Sequence, residues 1–315
     1  MSNPQISAVI CTYNRYDLLP ASIASLEQQS ISSREFEIII VDNSPDQEAS
    51  EAFSKSFRSH DNVRWIGESK PGLSNARNVG ARAAAAPLIA FMDDDAIAEP
   101  HWLAELQAAF SRFGESAQVA GGRVDPIWGA PRPTWLPDDL LGFVSVVNWG
   151  GEARYAGTKE WVAGTNIAFR TEPLLAVGGF SIHLGRNGAG HALLSNDEND
   201  VISRLREVDG QLVYAPKAIV SHLVAPERLT QPWFRRRTVW QATSEYLQDP
   251  KHNFDLGPRY WNVVTDFYSR LPSRDRTPRG LYLEQSSPDM FRLQLSALHN
   301  FTVALLSGFN GFEDL

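Results

Sequence analysis

Through the first part of the chain, apolar residues follow two alternating periods. Ile6 to Cys11 is a short apolar run closed by Thr12, Tyr13 and Asn14, after which Leu19, Ile23 and Leu26 return at helical spacing as far as Gln29. This reads as strand, loop and helix, with Asn14 placed to cap the helix and Pro20 tolerated in its first turn, where N–H groups have no intrahelical partner. The order then repeats. Phe36 to Val41 is β-branched at its centre, Ala49 to Phe57 has a helical pattern, Val63 to Ile66 predicts a short strand and Leu73 to Ala85 a helix. Leu88 to Met92, bounded by Pro87 and an acidic triplet, predicts another buried strand, and Pro100 to Phe113 a helix opened by its proline. Alternation of this kind predicts an α/β fold with a mainly parallel sheet.

From Val119 to Trp161 the texture changes to Gly, Pro and Trp. Pro126, Pro131, Pro133 and Pro137 exclude a long helix there, so the stretch is expected to be a connecting segment. Ile167 to Phe169 predicts a strand, Glu172 to Val177 a short helix, Gly178 to Asn196 a glycine-rich loop and Asp197 to Glu207 a helix; Gln211 to Tyr214 and Ala218 to Ser221 are expected to be extended. Beyond Thr230 the pattern is helical and aromatic, through Trp233, Phe234, Trp240 and Tyr246, with a final helix near Asp289 to Leu306.

Composition narrows the classes. Of 315 residues 43% are hydrophobic and 21% charged, which is enough apolar material for a sizeable core. The formal net charge of -8 argues against nucleic acid as a partner. A single cysteine, Cys11, excludes an intrachain disulfide framework and fits a reducing compartment. Met1 to Gln5 lacks the charged start of a signal peptide, and the nearest long apolar stretch, Ala83 to Met92, is broken by Pro87. The expectation is a cytoplasmic protein.

In open parallel sheets ligands gather at the carboxyl ends of strands. Asp42 stands at one such end and Asp93, Asp94 and Asp95 at another. Three consecutive carboxylates repel one another unless a cation joins them, and Mg²⁺ or Mn²⁺ binds one or two carboxylates with substrate phosphates completing its shell. The plainer alternative is that one aspartate caps the next helix and the others are solvated.

Four sequence words accompany this order of elements. They are SAVICTYNR at Ser7 to Arg15, EIIIVDNS at Glu37 to Ser44, GLSNARNVG at Gly72 to Gly80 and FMDDDAIAEP at Phe91 to Pro100. Over roughly residues 5 to 245 the chain resembles the family 2 glycosyltransferases. The resemblance implies a GT-A type, Rossmann-like, mainly parallel sheet flanked by helices, and inverting transfer of a sugar from a nucleoside diphosphate sugar, expected to be UDP-linked, with Mn²⁺ or Mg²⁺. The same resemblance places Thr12, Tyr13, Asn14, Arg15, Asp42, Asn75, Arg77, Asn78, Asp93 and Asp94 at the nucleotide and Asp95 at the metal. His222 matches a histidine that completes the metal site in many relatives, although a lone histidine is more often structural.

Inverting displacement needs a base for the acceptor hydroxyl. SNDENDVISRL, Ser195 to Leu205, resembles the family's acidic motif at a helix start, but with its Glu-Asp pair in the opposite order. That leaves Asp197 and Glu198 both as candidate catalytic residues, with helix capping the alternative for the segment. VAGTNIAFR, Val162 to Arg170, resembles the segment lining the acceptor and donor-sugar side, which points to Gly164 and Asn166; a turn-forming role is the competing reading. Arg235 and Arg236, beside Arg237 and among aromatics, could hold the departing diphosphate, face solvent or touch a membrane surface. The loop Gly178 to Gly190 has the glycine density of a lid or of an ordinary loop, and its GRNGAG follows no clear strand and carries no cofactor meaning.

The domain organisation expected is a catalytic domain over 1–229, with a nucleotide-binding half of about 1–122 and an acceptor-binding half of about 123–229, followed by a helical extension over 230–315. The acceptor is a hydroxyl-bearing glycan, lipid-linked or other molecule, and peripheral membrane contact or a homodimer remain open for the extension. Two other readings stay in view: a metal-dependent nucleotidyltransferase, and a non-catalytic sugar-binding module on the same fold.

Overall fold

Apolar side chains on both faces of a strand require cover on both sides, and the first strand is of this kind. In the computed structural model, which describes residues 4–55, 62–186, 192–248 and 258–310, β1 (Ile6–Thr12) turns Ile6, Ala8 and Ile10 to one core and Val9 to another. It pairs in parallel with β2 (Phe36–Asp42) and with β4 (Leu88–Asp93), and β2 pairs in parallel with β3 (Val63–Gly67). The crossovers are α1 (Leu19–Glu27), α2 (Gln47–Ser54) and α3 (Leu73–Ala83). Leu19, Ile23 and Leu26 of α1 pack with Trp102, Leu103 and Leu106 of α4 (Trp102–Phe113) on one face of the sheet. Ala76 and Ala81 of α3 pack on the other.

Beyond these strands antiparallel pairing takes over. β8 (Ile167–Arg170) runs against β4 and against β6 (Ala117–Trp128), while β5 (Ala96–Ala98) and β7 (Arg154–Tyr155) run against β9 (Gln211–Val224). The order is β3-β2-β1-β4-β8-β6-β9-β5, with β7 on β9. A parallel neighbour needs a helical crossover, and the Gly/Pro-rich chain between β6 and β8 supplies no α-helix, only short 3-10 segments such as Asp138–Val144. The mainly parallel arrangement expected therefore holds for the first four strands and gives way beyond them.

Several local expectations change. The stretch from Val119 begins as strand β6, whose glycines permit close approach: a Cβ on Gly122 would overlap the backbone carbonyl of Ala218. Asn14 does not cap α1. It lies at φ 55 with its N–H donating to Ser44 Oγ at 2.8 Å, and the helix starts at Leu19 without a side-chain cap, Pro20 lying in its first turn as expected. The short helix expected near Glu172 is α5 (Thr171–Ala176), and the two extended segments after α6 (Asp197–Arg206) form one long strand, β9. Phe57 and the part of the glycine-rich loop from Asn187 to Gly190 lie outside the described residues.

The chain divides into two units, one of Met1–Ile127, Ser145–Gly190 and Asp197–Leu223, the other of Trp128–Val144, His191–Asn196 and Val224–Leu315. The second unit takes in the chain from Val224 onward together with two earlier segments. The reason is packing: Trp135 lies edge-on to Phe234 and Phe291, at 5.5 and 4.9 Å, and Arg292 binds Asp139. Its helices α7 (Gln231–Gln248), α8 (Pro258–Arg270) and α9 (Pro288–Asn310) enclose Phe267, Leu281 and Leu298. Among the described residues no helix is long and apolar enough to cross a membrane.

Candidate active site

The carboxyl ends of β1, β2 and β4 lie side by side, because Thr12 is in register with Asp42 and Cys11 with Asp93. Asp42 is fully buried. Its Oδ1 accepts from Ser44 N–H at 3.0 Å and Ser44 Oγ at 2.5 Å, and its Oδ2 accepts from the Tyr16 hydroxyl at 2.8 Å. The Tyr16 ring stacks on Phe53 at 4.7 Å, and Phe53 leans on Trp65. Tyr16 and Ser44 carry no periodic signal, and the sequence reading did not assign them; only a contact with Asp42 reveals them.

The acidic triplet spreads its side chains over three environments. Asp94 is buried and accepts from Thr12 Oγ1 at 2.7 Å and from Arg15 at 3.2 Å; burial, opposed by the Arg15 charge, pushes its carboxyl up to about 7. Asp95 accepts from Arg15 through Oδ2 at 2.8 Å and faces His222 Nε2 through Oδ1 at 3.2 Å. Asp93 is the open one, one-third exposed, with Oδ2 4.0 Å from His222 Nε2. His222 reaches the site because β5, the three residues after the triplet, pairs with β9 and sets Ala96 opposite it. Ligand atoms of Asp93, Asp95 and His222 lie within 4.8 Å of one another. Two carboxylates and an imidazole make a donor set that fits Mn²⁺ or Mg²⁺.

Asp197 and Glu198 open α6 and meet Arg77 of α3. Arg77 Nη1 lies 2.8 Å from both Asp197 Oδ2 and Glu198 Oε1, and Nη2 lies 3.8 Å from Asp93 Oδ1. Ser74 Oγ donates to Asp197 Oδ2 at 3.1 Å. The two acids differ in access, since the Glu198 side chain is 18% exposed and that of Asp197 3%. Burial, then the Glu198 charge, pushes the Asp197 carboxyl up to about 7. Burial acts on Glu198 in the same sense, but the Arg77 charge and a hydrogen bond from Asp197 outweigh it and hold Glu198 below the usual carboxylate range. The pair is thus arranged to keep its charge on the more open acid.

The remaining expected residues divide. Thr12 and Arg15 stand at the acidic triplet as described, and Tyr13 and Asn14 lie between them at the end of β1, half-buried and exposed. Arg77 is only 2% exposed and is committed to the acids. Asn78 binds the backbone of Phe180 through both amide atoms, at 2.7 and 2.8 Å, and Asn75 donates to Lys70 O at 3.0 Å. Gly164 touches the site, since a Cβ there would overlap Glu198 Oε1 and Arg77. Arg235 and Arg236 belong to the second unit: Arg235 is buried and spent on Glu284 at 2.9 Å and on Leu283 O, and Arg236 is exposed. Buried in that way, Arg235 is a strut between α7 and the chain before α9 rather than a free cation.

Asn166 departs furthest from its expected role. It is fully buried, its Nδ2 donates to Arg123 O at 2.8 Å and Ala218 O at 2.7 Å, and its Oδ1 accepts from Trp102 Nε1 at 2.8 Å. All three contacts are to the protein, so the amide braces β6, β9 and α4 instead of meeting a sugar. Asn166→Ala is expected to leave these buried groups without partners and cost about 3 kcal/mol. Thermal unfolding should show a midpoint several degrees lower, with the dissociation constant of the nucleotide unchanged.

Comparisons with known proteins bear on this geometry. The model for Glycosyl transferase family 2 matches residues 7–170, which include Asp42, Arg77 and the acidic triplet but not Asp197, Glu198 or His222. The glucosyl-dolichyl phosphate glucuronosyltransferase of Haloferax volcanii is 28% identical over 249 residues, 78% of this chain and 77% of that protein. Validoxylamine A glucosyltransferase of Streptomyces hygroscopicus subsp. jinggangensis is 32% identical over 120 residues, 38% of this chain but only 28% of that protein. Among solved structures, the mannosyltransferase PcManGT from Pyrobaculum calidifontis in complex with GDP-Man and Mn²⁺ superposes with a TM-score of 0.62 at 16% identity, covering 98% of this chain and 88% of that one. S. aureus TarS 1-349 in complex with UDP gives 0.53 at 17% identity, covering 98% and 92%. At such identities the likeness establishes the fold, which is the GT-A type.

Proposed function

The chain belongs to glycosyl transferase family 2, and from that premise we propose that it transfers a hexose-type sugar from a UDP-linked donor to an acceptor hydroxyl, with inversion at the anomeric carbon. The observation that carries this reading is the junction at Arg77, where the acid pair Asp197 and Glu198 stands one guanidinium away from Asp93 of the metal-fitting cluster. A single-step displacement needs both a base and a place for the departing diphosphate.

In the reaction so read, the acceptor oxygen attacks the anomeric carbon as the bond from that carbon to the diphosphate oxygen breaks. The hydroxyl proton passes to the Glu198 carboxylate, and the electron pair of the broken bond leaves with the diphosphate. Asp95 and His222, with Asp93 alongside, would hold Mn²⁺ or Mg²⁺, which would supply positive charge for that leaving group. Asp42 offers a carboxylate to an N–H of the nucleobase in exchange for the Tyr16 hydroxyl it now accepts. Thr12 and Arg15 hold Asp94 and Asp95 so that the triplet keeps its shape.

The name of the Haloferax relative, a transferase for glucosyl-dolichyl phosphate, supports testing lipid-linked sugars first among hydroxyl acceptors. Calorimetric titration of UDP and of GDP, each with and without Mn²⁺, tests the donor side without an acceptor. UDP is expected to bind only with the metal present. Binding of GDP instead would reassign the nucleotide, and binding of neither would remove the donor-site reading.

A further inference from the structure

A guanidinium sealed from water is costly unless acceptors meet it, and clusters of buried carboxylates are costly without a cation. Arg77 and its acids resolve both problems at one point. Of the three acids around it, Asp197 and Glu198 lie about 120 positions further along the chain, and both accept from Nη1 at 2.8 Å. The third, Asp93, lies on the Nη2 side at 3.8 Å. The guanidinium also rests over the Phe180 ring at 5.4 Å, and Asn78, the next residue, fastens the backbone of Phe180 from both sides. Ser74, one turn earlier on α3, donates to Asp197 Oδ2. The missing Cβ of Gly164 makes the space in which Arg77 and Glu198 meet.

We propose that Arg77 is a positioning residue for the transfer, a single guanidinium that fixes the Glu198 carboxylate relative to Asp93 and so registers the base against the donor. The proposal rests on the reading of Glu198 as the base. A planar fork suits this task because its two terminal nitrogens point to different acids along fixed directions, whereas a lysine ammonium is a compact charge on a flexible stem, with three rotatable donors and no fixed fork to span them. Asp197 completes the clamp. By sharing Nη1 with Glu198 and accepting from Ser74, it resists rotation of the guanidinium away from Glu198. A loss of register of about 1 Å at a reacting group costs on the order of a hundredfold in rate.

The test uses Arg77→Lys, Glu198→Gln and the double variant Arg77→Lys/Glu198→Gln in the full chain. Turnover is read as nucleoside diphosphate released from UDP-glucose or GDP-mannose, following the nucleotide that binds, with water or a lipid-linked sugar as acceptor. Binding of the Mn²⁺–nucleotide complex and the unfolding midpoint are read in parallel, so the proposal is tested even where turnover is slow. Arg77→Lys is expected to lower kcat about a hundredfold while KM for the donor and nucleotide affinity stay within about threefold. Added to Glu198→Gln, it is expected to cost no further turnover, because there is then no base left to position. Nucleotide affinity and the midpoint falling together in Arg77→Lys would overturn the proposal in favour of a purely structural ion. So would wild-type kcat in Arg77→Lys while Glu198→Gln is inactive, an outcome that leaves the base reading standing. Wild-type kcat in Glu198→Gln would instead remove the base reading, and the positioning role with it.

Discussion

Glu198→Gln is expected to lower turnover by about two to four powers of ten, the range a general base contributes, while Asp197→Asn lowers it by about tenfold. The asymmetry follows from the setting of the pair. Glu198 is the more open acid and Arg77 keeps it charged, so replacing it with an amide removes the carboxylate proposed as proton acceptor. Asp197 is sealed, and burial with the charge of Glu198 beside it pushes its carboxyl up to about 7. An asparagine there imitates the neutral acid: its Oδ1 can still accept from Arg77 and Ser74, and what is lost is chiefly the charge that the ionised form sets beside Arg77. Steady-state rates at saturating donor for the two variants check this, and equal, small effects in both would sink the assignment of either acid as base.

The pH profile offers a second reading of the same pair. A base works in its ionised form, so the rate falls as pH drops through the pKa of whichever acid accepts the proton. With Glu198 as base the acid limb should lie below the ordinary carboxylate range, and activity should be flat through neutrality. With Asp197 as base the limb would instead centre near 7. A kcat profile from pH 4 to 9 in mixed buffers, taken for the unaltered chain and for Asp197→Asn, distinguishes the two, and a limb near neutrality that Asp197→Asn removes would transfer the role to Asp197.

Much of the first half of the chain was legible because its signals are local. The continuous apolar runs of β1, β2 and β4 need cover on both faces, and helix-period segments stand between them, so Asp42 and the triplet at Asp93–Asp95 could be placed at strand ends from pattern alone. What escaped was set by long-range contact. Nothing in the spacing of Arg77 tells that its side chain turns inward to acids about 120 positions away rather than outward to a nucleotide. The amide of Asn166, read as suited to sugar hydroxyls, is consumed by Trp102, Arg123 and Ala218, partners on three separate elements. The glycines of β6 looked like loop residues because a glycine chosen for close backbone approach has the same letter as one chosen for a turn. Arg235 shows the same limit in the second unit, where its ion pair with Glu284 joins positions that no periodicity connects.

Asp95→Asn is expected to abolish metal-dependent nucleotide binding, and Asp94→Asn to weaken it by no more than about tenfold, though the two residues are neighbours and both are buried. Asp95 faces His222 through one oxygen and Arg15 through the other, so its charge is shared between the place of the cation and the guanidinium that steadies it. An amide there removes one of the two carboxylates available to the ion, and on the Arg15 side it can set an N–H where only an acceptor fits. Asp94 turns away from that cluster to Thr12 and Arg15, and burial has already pushed its carboxyl up to about 7, so an amide resembles a form it readily takes. Titration of Mn²⁺ with UDP into each variant reads both outcomes, and circular dichroism confirms that both remain folded. Equal losses in the two variants would mean that the triplet acts as one acidic patch. A loss confined to Asp95→Asn follows only if β4 and the β5–β9 pairing give each carboxylate a task of its own.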